Sequence, residues 1–466
     1  MDVIKKIRTH GGNVAAQPLK AYGSEYRNLL RLGAPVLVTQ IGIILVSFAD
    51  TMMIGAYGDR VSGLAAAAFV NSLFMIPIVM LLGFAAGTTP LIGALFSRKS
   101  DFELGRTGRA ALQVNVIVSM AFTLLMGVLY FFIDRFGQPE ELLPLIRPYY
   151  LLMLLNLIPT ALFNCCQQIS NGVTDTATPM WVILGANLLN VAGNYILIFG
   201  HFGAPEMGLA GAGVSTVIAR VAGAVVMLLL VRNMRRFRPY AEGLRTPGTP
   251  GVIRRKVWTT SYPVMIQSGV ECSLWTFGAI VSGWYGKVQL ASYQVVNTVA
   301  QLGFMIFMSF GVAISIRVAN YTGLGDRRAV RRIASAGLHI NLLLATLASA
   351  CFYFFGHDLA TLFTDDARVL AAAALLIAPL ILYQYGDAIQ LTFANALRGT
   401  SHVKPLLWIS LGSYLLLGVP LLLWLAVGMD MRNVGVYYSF SGALFAAAML
   451  LFLSFRRAAR FIGPKD

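Results

Sequence analysis

Three carboxylates stand where a lipid-embedded chain has least use for them: Asp50 in LVSFADTMMIG, Glu271 in SGVECSLW and Asp387 in LYQYGDAIQ. Each lies inside an apolar run, whereas the other seventeen of the twenty Asp and Glu fall in tails, loops or run ends. A charge at the centre of a membrane helix costs about 2.5–3.5 kcal/mol, so three cost about 8–10 kcal/mol, comparable with the whole stability of an ordinary domain. Groups kept at that cost point to reversible neutralisation by a mobile cation or a proton. A carboxylate deprived of water takes up a proton more readily, and carboxylate, amide and phenol oxygens suit hard cations. Tyr383 stands four residues before Asp387, on the same helical face. Glu271 and Asp387 differ in depth by about five residues, or ~7 Å, a difference that helix tilt closes, so they are expected to share a site. Asn190 and Asn194 in NLLNVAGNY lie one turn apart. Asn194 and Asp50 are each about six residues, ~9 Å, from the outer ends of their runs, which predicts a second site from Asp50, Asn190 and Asn194. Arg220 in STVIARVAG is the one cation inside a run, and either snorkels or pairs with a carboxylate.

The elements that carry these residues are membrane spans. The 466-residue chain is 57% hydrophobic and 12% charged, about half the charge of a soluble domain, and its mean hydropathy is +0.70. Apolar runs long enough to cross a ~30 Å hydrocarbon core recur along it. Twelve are expected, at 30–56, 64–95, 108–133, 146–170, 179–200, 208–231, 258–284, 289–316, 330–355, 369–397, 405–427 and 433–455. Runs 64–95 and 369–397 exceed the length a perpendicular helix needs, which predicts tilts or kinks. The segment before the first run is basic and lacks the apolar core of a cleaved leader. Cys165, Cys166, Cys272 and Cys351 show no CxxC spacing and read as small buried hydrophobes. The five histidines are scattered, so an enzyme is not expected, nor any cofactor.

The net charge of +16 is a topology signal rather than a nucleic-acid surface. Of 36 Lys and Arg, 29 fall in the two tails and on alternate connections, six on the other connections, and Arg220 inside a run. That asymmetry predicts both termini in the cytoplasm. The longest connection, RNMRRFRPYAEGLRTPGTPGVIRRK, separates two similar halves. APVLVTQ near Pro35 matches YPVMIQS near Pro263, Asn71 matches Asn297, and ISNGVTDTATPMW matches NALRGTSHVKPLLW, at offsets of 226–228. Each half has six runs, so the repeat is parallel, about an axis along the membrane normal. The expected fold class is all-α integral membrane: twelve transmembrane helices in two pseudo-symmetric six-helix lobes around a central cavity. The expected division is a cytoplasmic tail 1–26, an N-lobe 27–232, a linker 233–256, a C-lobe 257–456 and a cytoplasmic tail 457–466. Asp50, Glu271 and Asp387 align with Gly278, Ile43 and Thr160 in the opposite half, so the two lobes are expected to hold different sites.

On FADTMMIG, NVAGN, SGVECSLW, SIRVANYTGLGD and YQYGDAIQ, over residues 27–460, the sequence resembles the multidrug and toxic compound extrusion (MATE) transporters, in particular their NorM-type branch. The resemblance implies two six-helix bundles and outward antiport of cationic or amphipathic drugs against Na⁺ or H⁺. It associates Glu271, Asp387 and Tyr383 with cation binding, Na⁺ included, and Asp50 with coupling and substrate. Relatives that carry Asp in place of Asn194 lean toward proton coupling. The implied partners are small organic cations, Na⁺ or H⁺, and the bilayer of a bacterial inner membrane, with a monomer as the working unit. The alternative transport readings are a major-facilitator carrier and a lipid-linked oligosaccharide flippase. GLGDRRAVRR faintly resembles a major-facilitator loop motif, but SRKSDFELGR in the first half lacks it.

Overall fold

A computed structural model describes residues 18–57 and 60–463, and they contain helices and no strands. Residues 1–17 of the expected N-terminal tail, Gly58 and Asp59 of the first loop, and residues 464–466 lie outside the described residues. Eleven helices are long and apolar enough to cross a membrane, and a bent pair makes the twelfth span.

The first half comprises α1 (Pro18–Ala56), α2 (Arg60–Ala86) with α3 (Thr88–Ser97), α4 (Asp101–Tyr130), α5 (Leu143–Gly172), α6 (Ala177–Phe199) and α7 (Gly208–Asn233). After the short α8 (Ala241–Arg245) the second half comprises α9 (Gly251–Trp284), α10 (Lys287–Gly323), α11 (Arg327–Thr361) and the pair α12 (Ala367–Ala374) and α13 (Ile377–Gly399). It continues with α14 (Lys404–Ser410), α15 (Val419–Leu422) and α16 (Arg432–Arg460). Two large apolar cores form among the described residues. One runs from Ile54 to Val257 and the other from Val264 to Ala459, the second also taking in Leu29 from α1, with smaller clusters around Phe307 and Val295.

The two over-long runs resolve as breaks. The span Ser62–Ser97 is interrupted at Gly87, where α2 crosses α9 so closely that a Cβ would lie 2.5 Å from Ser261 Cα. The tenth span bends by 51° between α12 and α13. Its outer piece starts on Asp366, which accepts a hydrogen bond from the Arg368 backbone N–H at 2.9 Å; the Arg368 side chain holds the Asp366 carboxyl down at about 2. The eleventh span contains two π-helical stretches, Leu411–Gly418 and Leu423–Gly428. Such widened turns occur often at functional sites.

Several boundaries differ from the sequence reading. Helix α1 starts at Pro18, inside the expected tail 1–26, and its 39 residues span about 58 Å. Its first part leaves its own half of the chain and packs on the other. Leu29 enters the second core, Gly33 sits against the Phe310 ring, and Tyr26 Oη lies 2.7 Å from His339 Nδ1. Glu25, 2% exposed, accepts from Arg317 Nη2 at 2.7 Å and lies 3.6 Å from Arg332 Nη2. Arg317 also lies over the Tyr321 ring, 5.0 Å from its centroid. Arg317 and Arg398, which the charge pattern assigns to loops, are each 7% exposed within helices. Burial against distant helices, which no local pattern carries, accounts for these differences. On this arginine-rich side the lobes meet again where Arg98 Nε donates to the Gly323 carbonyl at 2.7 Å.

The expected linker 233–256 is shorter, because α9 already begins at Gly251. It is also docked. Gly105 of α4 and Gly243 of α8 touch backbone to backbone, and Arg109 Nη1 donates to the carbonyls of Arg245 and Thr246 at 2.9 Å each. A Cβ at Gly243 would sit 2.1 Å from the Phe102 carbonyl oxygen. Overpacking of this kind costs about 1–3 kcal/mol. Gly243→Val is therefore expected to release the linker and raise trypsin cleavage at Arg235–Arg245 at least about fivefold. Cleavage at the wild-type rate would show that the contact does not hold the linker.

Candidate functional site

The first half assembles a carboxylate–amide cluster. Helix α1 brings Asp50 alongside α6, where Gly42 allows close approach to Leu184. Asn194 is fully buried and its Nδ2 donates to Asp50 Oδ1. Asn190, with its amide oriented to satisfy its neighbours, donates to the same Asp50 oxygen at 2.9 Å and accepts from the Thr216 hydroxyl at 3.2 Å. Ser215 Oγ donates to the Asn190 carbonyl at 2.7 Å, pinning α7 against α6. The three predicted residues thus come together, and the depth match of Asp50 with Asn194 is met by direct contact. Two amide donors suit an ionised carboxylate, while the half-buried position of Asp50 leaves it open to a cation. Arg220 stands one turn beyond Thr216 on α7, half-buried, and none of the ion pairs among the described residues joins it to Asp50.

The second half assembles a different cluster. Asp387 on α13 is fully buried, and neither of its oxygens has a hydrogen-bond partner. Glu271 on α9 is half-buried with Oε1 unpartnered. Tyr383 stands one helical turn before Asp387 on α13, and Trp275 one turn after Glu271 on α9. Tyr383 packs edge-on to Trp275, centroids 5.3 Å apart, and Trp275 edge-on to Phe440 at 4.3 Å. Among the described residues, none of the ion pairs includes Asp50, Glu271 or Asp387, and no three His, Cys, Asp or Glu cluster as a metal site would.

Two carboxylates in a poorly solvated site cannot both stay ionised at low cost. Buried oxygens of this kind ordinarily have a hydrogen-bond partner, so their lack of one calls for an explanation. Polar side chains are also exposed within the spans, Asn71 and Ser72 on α2 and Gln294, Thr298 and Gln301 on α10. Sequence reasoning missed Arg398. It stands eleven residues after Asp387, three helical turns on, and that spacing was the signal available.

The MatE family model matches the chain twice, at residues 35–196 and 263–424. The offset of 228 between the two matches agrees with the internal repeat. The chain is 26% identical over 466 residues to "Probable multidrug resistance protein NorM" of Bradyrhizobium diazoefficiens, covering 99% of each. It is 28% identical over 445 residues to a protein of the same name from Xanthomonas axonopodis pv. citri, covering 94% of this chain and 95% of that one. Its fold resembles a structure described as the outward-facing conformation of a multidrug resistance MATE family transporter, with a TM-score of 0.83, 17% identity and coverage of 94% and 96%. It also resembles a eukaryotic MATE transporter, with a TM-score of 0.82, 17% identity and coverage of 95% and 100%.

Proposed function

Since the chain belongs to the MatE family, we propose that it is a multi-pass inner-membrane antiporter that exports small cationic or amphipathic organic compounds in exchange for Na⁺ or H⁺. The observation that carries this reading is Asp387, a fully buried carboxylate in a membrane span with both oxygens unpartnered, together with the half-buried Glu271, whose Oε1 also lacks a partner. Tyr383 completes that site, and Asp50, Asn190 and Asn194 form the one in the other lobe. The arginine-rich side, with both termini, faces the cytoplasm. The lobes meet on that side, where Arg98 donates to the Gly323 carbonyl, and alternating access requires that contact to open in turn.

An ion or proton entering from outside neutralises a buried carboxylate. It biases the lobes only as far as its affinity differs between their two packings. Exchange of one monovalent ion for one monovalent organic cation moves no net charge. A tenfold ion gradient then supports a tenfold cargo gradient, ~1.4 kcal/mol. A second ion per cargo would add the same again and, by moving one net charge, about 2.3 kcal/mol per 100 mV of membrane potential. The protein works as a monomer in this scheme, because each lobe supplies its own ligands.

The test is ethidium efflux from vesicles holding the purified protein, under an imposed Na⁺ gradient or an imposed pH gradient. Export driven by at least one of them is expected, and the one that drives it names the coupling ion. Efflux unaffected by both gradients would refute antiport.

A further inference from the structure

Among the carboxylate and amide side chains of the described residues, only Asp387 and Gln390 leave both polar atoms buried without a hydrogen-bond partner. Each is 0% exposed, and they stand three residues apart on α13. The other amides on this helix are used. Gln384 donates from Nε2 to the Ala300 carbonyl at 3.4 Å. Asn395 donates from Nδ2 to the Leu391 carbonyl at 2.9 Å and accepts from Arg398 at 3.2 Å. Both pack on glycines of α10, Gln384 on Gly303 and Asn395 on Gly311, which fixes that side of α13 against α10.

Tyr383, Asp387 and Gln390 follow one another at i, i+4 and i+7 along a different side, over about 10 Å. That stripe meets α9 and α16. The Tyr383 ring lies 5.3 Å from that of Trp275 and 6.2 Å from that of Tyr437, and a Cβ at Gly386 would lie 3.1 Å from Leu444 Cβ. Tyr437 is 2% exposed, and its hydroxyl also has no partner. The first half arranges the same groups differently. There Asn190 and Asn194 both donate to Asp50. Here the amide one turn from Asp387 does not, although the spacing puts it within reach. Leaving both groups unpaired is costly, and a ligand that takes oxygens from both relieves that cost.

We propose that Gln390 is a specificity-determining residue of the C-lobe site: its side-chain carbonyl joins the Asp387 carboxylate in ligating a dehydrated alkali cation. A proton binds a single carboxylate oxygen and has no need of the amide. A hard cation stripped of water takes several oxygens at once, and one helical turn supplies two from Asp387 and another from Gln390. The amide adds a ligand without adding charge, so a monovalent ion is held by one carboxylate and can still leave. This inference rests on the antiport reading and names Na⁺ as the ion that this lobe takes.

The experiment reads Na⁺ binding as thermal stabilisation of the purified full-length protein, with NaCl exchanged for N-methylglucamine chloride at constant ionic strength and mildly alkaline pH. An ion that binds only the folded form raises stability with its concentration relative to Kd. The thermal readings are made on chains that also carry D50N, so that they report the C-lobe alone. Q390M removes the amide and keeps an unbranched side chain. It is expected to need at least about tenfold more Na⁺ for the same rise in Tm. Its Tm without Na⁺ should stay at or above that of its D50N parent, because an unpaired buried amide is gone. In vesicles, with Asp50 intact, ethidium export driven by a Na⁺ gradient should fall at least about tenfold, and export that a pH gradient drives should stay within about threefold. A purely structural role would lower the Na⁺-free Tm and both kinds of export together. If Q390M keeps the parent's Na⁺ dependence, or loses both kinds of export, Gln390 is not a ligand, and antiport stands on the wild type's export. If the wild type exports dye on a pH gradient and the D50N parent gains no stability from Na⁺, the assignment of Gln390 falls and antiport again stands. If neither gradient drives export by the wild type, both fall. Should Q390M not fold, Q390L removes the same amide and carries the same expected result.

Discussion

Asp387→Asn and Glu271→Gln are each expected to abolish gradient-driven dye export while leaving the protein in the membrane and at least as stable. Both replacements keep the shape and remove the ionisable group. The neutral amide cannot take up a proton, and it loses the charge that attracts a cation into a site of low dielectric, where such attractions are strongest. Export should fall at least about 100-fold, into the background leak, because an interaction with a buried charge is worth about 3 kcal/mol or more. Stability moves the other way. Each carboxylate is held inside the span without a hydrogen-bond partner for at least one oxygen, and relieving that burial recovers part of the ~2.5–3.5 kcal/mol it costs. A thermal-unfolding midpoint unchanged or raised, together with lost export, is the combined signature. Retained gradient-driven export in both variants would remove the two carboxylates from the coupling site.

Glu25→Gln is expected to be the most destabilising single change on the arginine-rich side. Glu25 is 2% exposed and lies 2.7 Å from Arg317, itself 7% exposed. The amide would leave a buried guanidinium without its counter-charge, and breaking such a pair from one side costs about 3–5 kcal/mol. Arg332 is the other cation at this carboxylate, at 3.6 Å, and would then face Arg317 with no anion between them. The penalty belongs to the stranded charge more than to the lost contact. E25Q/R317M is therefore expected to be more stable than E25Q alone, in thermal unfolding of the purified protein. A double variant as unstable as the sum of its two single changes would refute that account. The pair also joins α1 to the opposite lobe, so in the antiport reading its loss favours separation of the lobes on that side, and ~3 kcal/mol would shift that equilibrium by about 150-fold.

The extent to which the candidate site was legible varies by residue. Asp50, Glu271 and Asp387 stood out because a carboxylate in an apolar run has a cost that any reader of the sequence can assess. Asn190 and Asn194 followed from their four-residue spacing and a depth shared with Asp50, and the contact closes over 144 residues of chain. Arg398 and Arg317 were hidden in the same pattern that located the spans. An arginine near a helix end is an ordinary topology signal, and nothing local distinguishes one that faces water from one that turns inward. Glu25 looked like part of a tail, since its partner lies 292 residues away.

From sequence alone came the membrane class, the spans, the two-fold repeat and the buried acids. These depend on transfer from water to hydrocarbon and on periodicity along a helix, both of which are local quantities. Only the tertiary structure decided which helices meet. It placed the first part of α1 on the opposite lobe, joined α2 to α9 at Gly87, and buried Arg398 within α13 beside Asn395. Those outcomes depend on which side chains face each other between helices, where van der Waals fit and charge pairing act over a few ångströms, and no distance along the chain encodes them.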